Sequence, residues 1–267
     1  MNTMRILLIG DVVGKTGREM FQKHIGRLKQ ELNIDGIIVN GENSGSQGRG
    51  ISSKIVNFFK HNHVDVVTSG NHIWYNKEIY SYLAENNDLI RPANYPNGCP
   101  GVGVTTFSCK GKTVAVVNVQ GRTFMRDKVD CPFKTMESLL LYLQHKTNII
   151  FVDVHAEATS EKMALGYFLD GKVSGVVGTH THIQTADERI LPQGTGYITD
   201  LGMVGSLNSM IGMQKESIIH NFRTQMPVKF IVDDSAPFVM SGVCMDINIA
   251  TGKAVKVEKI RIVDENA

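Results

Sequence analysis

The chain has 267 residues, of which 42% are hydrophobic, and this is enough to bury a substantial core. Twenty-eight basic residues against 26 acidic residues leave a net charge of only +2, so no global field favours binding to duplex nucleic acid or to an anionic membrane. Any recognition of phosphate must therefore be local, and we expect a single domain over residues 1–267.

The first part of the chain alternates predicted strands with predicted helices. Short apolar runs that end in Gly, Asn or Asp are typical of buried strands. Such runs lie at residues 6–9, 37–39 and 64–67. Apolar residues with helical spacing predict helices at residues 17–32, 52–61 and 76–85. Ser52 and Asn76 are suitable N-caps for the second and third of these helices.

The remainder of the chain continues this pattern and then changes to alternating strands. An irregular loop at residues 91–103 holds three of the seven prolines. Further strands are predicted at residues 113–119, 149–154 and 173–177, and helices at 134–145 and 160–169. Residues 239–249 and 254–263 alternate like antiparallel strands joined at Thr251-Gly252, and 203–213 reads as an irregular, flexible stretch. The sequence therefore predicts an α/β fold, a layered αββα sandwich with mixed parallel and antiparallel sheets.

Cysteine spacing and the N-terminal sequence indicate a reducing compartment. The four cysteines are Cys99, Cys109, Cys131 and Cys244. No two of them lie closer than ten residues apart, which excludes a CxxC motif and a dense disulfide framework. The first apolar run is interrupted by Gly10 and Asp11 and is too short for a signal peptide or a membrane span. We therefore expect a cytoplasmic protein with reduced thiols.

Metal-ligand side chains follow five of the predicted strands, at the point where each strand ends. They are Asp11, then Glu42 and Asn43, then Asn71 and His72, then His155, and finally His180 and His182. Ligands of open α/β sheets bind beyond the carboxyl ends of strands, so these side chains are expected to converge. We expect the glycines at 10, 41, 70 and 178 to let the backbone turn before each donor. His180 and His182 can point the same way if the turn that carries them stays extended. Because crowded carboxylates and imidazoles would be costly without a cation, the sequence predicts a metal site.

Each of these residues has an ordinary structural explanation when it is considered alone. A single Asp or Asn after a strand usually caps a turn or a helix. A lone His155 is more often a hydrogen-bonded core histidine than a ligand. The coincidence of donors at five strand ends is what favours the functional interpretation.

Two glycine-rich stretches suggest phosphate binding to different extents. Residues 10–16, with Gly14 and Lys15, resemble a P-loop but have three residues between the glycines instead of four, and Asp11 occupies the place of the anion. The glycine spacing does not match a dinucleotide-binding turn either. Residues 44–50 follow Glu42 and Asn43 and could surround a substrate, with Arg49 available for a phosphate oxygen.

The ordered donor blocks resemble those of the calcineurin-like metallophosphoesterase superfamily, over most of the chain. The specific blocks are Gly70-Asn71-His72 and the run from Gly178 to His182. Two departures, Asp11-Val12-Val13 in place of D-x-H and Glu42-Asn43 in place of a bridging Asp, identify a branch. Together with the other blocks they are similar to the bacterial YmdB-type phosphodiesterases, which act on 2′,3′-cyclic nucleotides with iron or manganese.

This resemblance implies a role for each donor. Glu42 would bridge two metal ions, and His72 would remain free for catalysis. One ion would be held by Asp11, Asn43 and His182, and the other by Asn71, His155 and His180. A donor set of oxygen and nitrogen without Cys suits Mn²⁺, Fe²⁺ or Zn²⁺, and the sequence does not choose among them. Two carboxylates against two divalent ions leave about two positive charges for a phosphodiester anion.

The expected reaction is hydrolysis of a cyclic nucleotide, such as 2′,3′-cAMP or 2′,3′-cGMP, by a metal-bridging hydroxide, with His72 as general acid. A phosphatase or nuclease with the same metal centre and a regulatory metal- or nucleotide-binding protein are the alternatives. Few aromatic residues and no basic stripe beyond Arg122, Arg126 and Lys128 disfavour long nucleic acid as a substrate. No membrane partner is expected, and apolar helix faces could support a homo-oligomer.

Overall fold

The computed structural model describes residues 2–265, so residue 1 and residues 266–267 of the predicted domain lie outside the described part. Two mixed β-sheets face each other, and helices cover their outer surfaces. The strands are β1 Thr3–Ile9, β2 Asp11–Val12, β3 Gly36–Asn40, β4 Val66–Thr68, β5 Val104–Cys109, β6 Lys112–Gln120, β7 Ile150–His155, β8 Gly175–Thr179, β9 Arg189–Ile190, β10 Gly196–Ile198, β11 Met203–Ser206, β12 Phe238–Asn248 and β13 Ala254–Asp264. The helices are α1 Gly14–Glu31, α2 Ser53–His61, α3 Ile79–Glu85, α4 Pro132–Leu143, α5 Thr159–Leu169 and α6 Lys215–Thr224.

Both sheets contain parallel and antiparallel pairs, but they combine them differently. The first sheet has the order β2-β11-β12-β1-β3-β4, with β13 paired to β12. Within it β1, β3 and β4 are parallel, whereas β12 is antiparallel to β1, β11 and β13. The second sheet has the order β5-β6-β7-β8-β10-β9, with β6, β7, β8 and β10 parallel. The predicted layered α/β sandwich with mixed sheets is confirmed.

Alternating side chains of the central strands build separate cores on the two faces of each sheet. In β1, Ile6 and Leu8 point into the core between the sheets, where they join Phe151 of the second sheet. Leu7 and Ile9 point the other way and pack with helix residues such as Phe21. This two-sided burial explains why the central strands read as continuous apolar runs.

Most of the predicted elements lie where the sequence places them. The three N-terminal strands, the three central strands and the C-terminal hairpin all form. Ser52 caps α2, since its hydroxyl accepts a hydrogen bond from the Ile55 N–H. Asn76 does not cap a helix directly, because α3 begins three residues later and is capped at Glu78.

The prediction of an irregular stretch at residues 203–213 is wrong for its first part. Met203–Ser206 forms strand β11, which is buried between β2 and β12. The strands β2, β5, β9 and β10 and the helix α6 were not predicted from the sequence either. β9 and β10 are only two and three residues long, which is too short for a periodic pattern of apolar residues. No residue of α6 is buried, so this helix lacks a buried apolar face that the sequence could reveal.

The cysteines and the helices bear on the environment that the sequence predicts for the chain. Within residues 2–265 all four cysteines are free thiols, as predicted. Among the helices of this described part, none is both long enough and apolar enough to cross a bilayer.

Candidate metal centre

The predicted donors are carried by strand ends that meet at one edge of the two facing sheets. Asp11 follows β1, Glu42 and Asn43 follow β3, and Asn71 and His72 follow β4 in the first sheet. His155 ends β7, and His180 follows β8, in the second sheet. Because all five strands are parallel within their sheets, their carboxyl ends lie together.

One group of donors surrounds His155, whose side chain is fully buried. Its Nε2 atom lies 2.9 Å from Asn71 Oδ1, 3.1 Å from His180 Nδ1 and 3.1 Å from Glu42 Oε1. Ligand atoms of Glu42, His155 and His180 all lie within 4.8 Å of one another. Four of the predicted donors therefore converge on one buried point.

A second group of donors lies around Asp11, which is also fully buried. The Asp11 Oδ1 atom is 3.9 Å from His182 Nε2, and Asp11 Oδ2 accepts a hydrogen bond from the His180 N–H at 3.1 Å. His182 is oriented by its Nδ1 atom, which lies 2.8 Å from the Ile211 carbonyl oxygen. The backbone of His180 thus connects the two groups of donors.

Glu42 and His72 form the contact between the donors and the solvent-facing side of the site. Glu42 Oε1 is 3.2 Å from His72 Nδ1, and Glu42 Oε2 accepts a hydrogen bond from the His72 N–H at 3.0 Å. Glu42 is 1% exposed, whereas the His72 side chain is 27% exposed. His72 is therefore the member of this pair that a ligand can reach.

Burial and mutual charge shift the titration of the central groups in different directions. Burial raises the pKa of the Asp11 carboxyl to about 6 and lowers the pKa of His180 to about 3. Burial opposes ionisation of Glu42 as well, but the neighbouring His155 and His72 imidazoles hold its pKa well below the usual value. Burial alone would lower the pKa of His155, and the Glu42 carboxylate instead raises it to about 9. The buried carboxylates therefore need positive charge close to them.

Two oxygen atoms in the site fit a metal ion because they lack a hydrogen-bond partner among the described residues. Asp11 Oδ1 and Asn43 Oδ1 are buried and accept no hydrogen bond from the described residues. The Asn43 amide group is held in place by its Nδ2 atom, which donates to the Gly48 carbonyl oxygen at 2.9 Å. Buried polar atoms are rarely left unsatisfied, and carboxylate, amide and imidazole donors suit divalent ions such as Mn²⁺, Fe²⁺ or Zn²⁺.

The glycines before the donors allow close packing, and the expected turn follows at Gly70, whose carbonyl oxygen accepts a hydrogen bond from the Ile73 N–H at 3.2 Å. None of the four has a positive φ angle. A Cβ atom on Gly70 would lie 2.2 Å from a ring carbon of His155, and one on Gly10 would lie 2.0 Å from the Gly202 carbonyl oxygen. Gly70 is therefore required because the His155 imidazole occupies the space of a side chain.

The segment that carries His180 and His182 is not extended, so the condition under which both side chains could point the same way is not met. Both residues have positive φ angles, +99° for His180 and +66° for His182. This conformation is unfavourable for residues other than glycine. It directs His180 toward His155 and His182 toward Asp11, so that the two imidazoles serve different parts of the site.

A buried hydrogen-bond network, not predicted from the sequence, orients His155. The Asp153 carboxylate accepts hydrogen bonds from Thr179 Oγ1 at 2.7 Å and from Asn40 Nδ2 at 3.0 Å. Because the Thr179 hydroxyl donates its only hydrogen to Asp153, it accepts from His155 Nδ1, which lies 3.0 Å away. In the neutral ring this leaves the lone pair on Nε2, the atom that faces Glu42. The two-residue spacing of Asp153 and His155 on one strand face was the available signal.

A buried ion pair supports the strained histidine segment. Lys162 Nζ lies 2.6 Å from Asp200 Oδ2, and both side chains are 1% exposed. Asp200 also accepts hydrogen bonds from the N–H groups of Thr181 and Gly202, at 3.1 Å and 2.8 Å. The Gly202 carbonyl oxygen in turn accepts from the Asp11 N–H at 3.0 Å. No sequence pattern links Lys162 to Asp200, so this support was missed.

Within the described residues 2–265, Arg49 is the predicted site residue whose side chain does not contact the donor groups. Its guanidinium lies 5.6 Å from the centre of the Phe230 ring and lines a cavity beside residues 44–50, which we call the glycine-rich loop. The structure therefore places Arg49 beside the candidate centre and not within it.

Comparisons with known proteins agree over nearly the whole length of the chain. The family model described as YmdB-like protein matches residues 7–260. The sequence is 48% identical, over 98% of both chains, to a protein of Bacillus subtilis (strain 168) named 2′,3′-cyclic-nucleotide 2′-phosphodiesterase.

Two solved structures are also similar to this fold. A novel phosphatase from Mycoplasma pneumoniae has a TM-score of 0.93 and 35% identity, over 100% of this chain and 95% of that one. A hypothetical protein from Thermus thermophilus has a TM-score of 0.89 and 37% identity, over 98% of this chain and 100% of that one.

Proposed function

The chain belongs to the YmdB-like protein family, and from that premise we propose that it is a metal-dependent phosphodiesterase that hydrolyses 2′,3′-cyclic nucleotides. The observation that carries the proposal is the position of Glu42. This buried carboxylate lies 3.1 Å from His155, inside the donor group, and 3.2 Å from His72, on the accessible side. A carboxylate in this position can join a metal site to a group that reaches the substrate.

We propose that the donors hold two divalent ions, with Glu42 shared between them. The group around His155, formed with Asn71 and His180, would hold one ion. The remaining donors, Asp11, Asn43 and His182, would hold the other. The 2.9 to 3.1 Å separations around His155 Nε2 and the unsatisfied oxygens of Asp11 and Asn43 support this division. Iron or manganese is the expected metal, and zinc also suits these donors.

When bound, the ions would supply positive charge to the phosphate and Lewis acidity toward a water molecule. The chain itself supplies a proton for the leaving group. Because Nδ1 is directed to Glu42, Nε2 is the atom of His72 that would face the substrate. We assign His72 as the general acid: water adds to phosphorus, the bond from phosphorus to the ribose 2′-oxygen breaks, and the Nε2 proton passes to that oxygen.

The His72→Ala variant tests this role. It should keep its metal content, because His72 is not among the proposed ligands, and it should lose about 10²- to 10⁴-fold in turnover. The control is His145→Ala, which removes an exposed imidazole beyond the end of α4. For both variants we would measure turnover of 2′,3′-cyclic nucleotides and metal content. Undiminished activity of His72→Ala would refute the assignment.

A substrate panel tests the reaction class. We expect 2′,3′-cyclic nucleotides and bis-p-nitrophenyl phosphate to be hydrolysed in the presence of manganese or iron, faster than 3′,5′-cyclic nucleotides and p-nitrophenyl phosphate. A preference for p-nitrophenyl phosphate would instead favour a phosphatase, the activity named for the Mycoplasma pneumoniae structure. Binding of cyclic nucleotides without turnover by any metal form would favour a regulatory protein.

A further inference from the structure

A cavity of about 820 Å³ beside the glycine-rich loop has an unusual charge distribution. Three cationic side chains line it, those of Arg49, Arg126 and Lys229. The aromatic rings of Tyr75 and Phe230 line it as well, and Tyr75 is 52% exposed. Among the described residues no carboxylate lines this cavity, and none of the three cations forms an ion pair with a described residue.

The walls of this cavity are attached to residues of the candidate metal centre. Gln47 lines the cavity, and the next residue, Gly48, accepts the hydrogen bond that positions Asn43. On another wall, the Tyr75 N–H donates to the His72 carbonyl oxygen at 3.0 Å. Tyr75 follows His72 by three residues, so their Cα atoms are at most ~11 Å apart. His72 is therefore joined directly to one wall of this cavity.

The rings and the polar groups of the cavity are partly ordered in advance. The Tyr75 hydroxyl donates to Gln47 Oε1 at 2.8 Å, which fixes the ring against the glycine-rich loop. The Arg49 guanidinium lies 5.6 Å from the centre of the Phe230 ring. An exposed aromatic face with cations nearby is the arrangement that binds single-stranded nucleic acid, through base stacking and phosphate contacts.

The charge of the cavity does not match a simple cyclic mononucleotide. A nucleoside 2′,3′-cyclic phosphate carries one negative charge, on the phosphate that the metal centre would bind, and its base is neutral. Three further cations would then face no anion. They complement a substrate that has a second phosphate on the 5′ side of the terminal nucleotide.

Resting on the proposed function, we propose that the preferred substrate is a short RNA fragment that ends in a 2′,3′-cyclic phosphate. Arg49, Arg126 and Lys229 contact the phosphate on the 5′ side of the terminal nucleotide, and the preceding base stacks on Tyr75. This substrate is compatible with the net charge of +2, because one or two nucleotides need only a local group of cations.

The proposal is tested by assaying three substrates with the same metal ion. They are a nucleoside 2′,3′-cyclic phosphate, the same nucleotide with a 5′-phosphate, and a dinucleotide that ends in a 2′,3′-cyclic phosphate. We expect kcat/KM to be about 5- to 30-fold higher for the dinucleotide than for the mononucleotide, mainly through KM, and the advantage to shrink with added salt. Equal values for all three substrates would overturn the proposal.

The variant Arg126→Gln/Lys229→Gln should reduce the advantage of both extended substrates to less than about twofold. Its control is Lys112→Gln/Lys146→Gln, which removes two exposed cations, one at the start of β6 and one shortly before β7, at the opposite edge of the sheet. The control has the same net charge and should keep the full advantage. Equal losses in the two variants would contradict a specific site, because they would reflect net charge alone.

Substitutions of Tyr75 separate a second phosphate from a second nucleotide. Tyr75→Ala should remove the advantage of the dinucleotide over the 5′-phosphorylated mononucleotide, whereas Tyr75→Phe should keep it, because the ring and not the hydroxyl stacks. An advantage that is equal for the two extended substrates and insensitive to Tyr75→Ala would contradict the RNA fragment as ligand.

A binding assay keeps the inference distinct from the proposed function. The product-like ligands are a nucleoside 3′-phosphate and a dinucleotide with a 3′-phosphate, titrated calorimetrically into the metal-free protein. Tighter binding of the dinucleotide, lost in Arg126→Gln/Lys229→Gln, is expected. If cyclic nucleotides are not hydrolysed, the proposed function fails while this assay still tests the cavity. If they are hydrolysed and the two ligands bind equally, the inference about the cavity fails.

Discussion

Replacement of Lys162 by methionine tests whether the ion pair with Asp200 supports the histidine segment. The Lys162 Nζ atom lies 2.6 Å from Asp200 Oδ2, and both side chains are 1% exposed. Methionine fills nearly the same volume but removes the charge, so Asp200 would keep only the N–H groups of Thr181 and Gly202 as partners. A buried carboxylate without its cation is strongly destabilising.

The size of the effect follows from this burial. Removal of one partner from a buried pair costs about 3–5 kcal/mol in the free energy of unfolding. For a protein of this size each kcal/mol corresponds to about 2–4 °C, so we expect Tm to fall by about 6–20 °C. The double variant Lys162→Met/Asp200→Asn should be more stable than Lys162→Met, because the unpaired charge is gone.

The matched control is Lys256→Met, since Lys256 forms an equally short ion pair with Glu258 at 2.7 Å. These side chains are 53% and 48% exposed. Screening by solvent limits such pairs to about 0–1 kcal/mol, so the control should lose at most about 4 °C. We would measure Tm by circular dichroism and metal affinity by titration calorimetry. Lys162→Met should bind the metal with about a 10- to 100-fold weaker affinity. Equal losses of Tm in Lys162→Met and Lys256→Met would refute the structural reasoning.

Three further predictions concern positions elsewhere in the site and the core. Gly70→Ala should abolish metal binding, measured by elemental analysis, because its Cβ would lie 2.2 Å from the His155 ring; full metal content would contradict this. Thr179→Val should weaken metal affinity by about 10- to 100-fold while Thr179→Ser retains it, since only a hydroxyl can accept from His155 Nδ1; equal affinities would remove this orienting role. Burial raises the pKa of Cys109 to about 11 and that of Cys244 to about 12. At pH 8 both thiols should therefore react with a thiol reagent only after the protein unfolds. Rapid reaction of the native protein would count against their burial.

The strand ends were predictable because their sequence signals are local. Apolar runs such as 6–9 and 37–39 are followed by donor residues. Because ligands of α/β sheets bind beyond the carboxyl ends of the strands, these runs alone predicted that Asp11 and Glu42 lie at one edge. The same rule accounts for His155 at the end of β7. The elements that position the donors were therefore contained in patterns of fewer than ten residues.

The supporting contacts were not predictable because they join residues that are distant in the sequence. Lys162 pairs with Asp200 across 38 residues, and Asp153 accepts from Asn40 across 113 residues. The need for glycine at position 70 is equally non-local, since a Cβ atom there would lie 2.2 Å from the His155 ring. The single domain and the cytoplasmic location stay predictions.

The segment at residues 203–213 shows how a tertiary contact overrides a weak local signal. Its mixture of Gly, Ser and Met gives no periodicity, although Met203–Ser206 is a buried strand. Further along, the Ile211 carbonyl oxygen lies 2.8 Å from His182 Nδ1, so this irregular part belongs to the site. Only the sheet that receives the strand determines its conformation.

An anomalous difference map from crystals grown with Mn²⁺ tests the central claim most directly. We predict two peaks per chain, ~3.5–4 Å apart, with Glu42 between them and with His155 and His182 on opposite sides. No peak at the carboxyl ends of β3 and β7, or peaks only elsewhere on the molecule, would contradict the claim that these donors form a dinuclear metal centre.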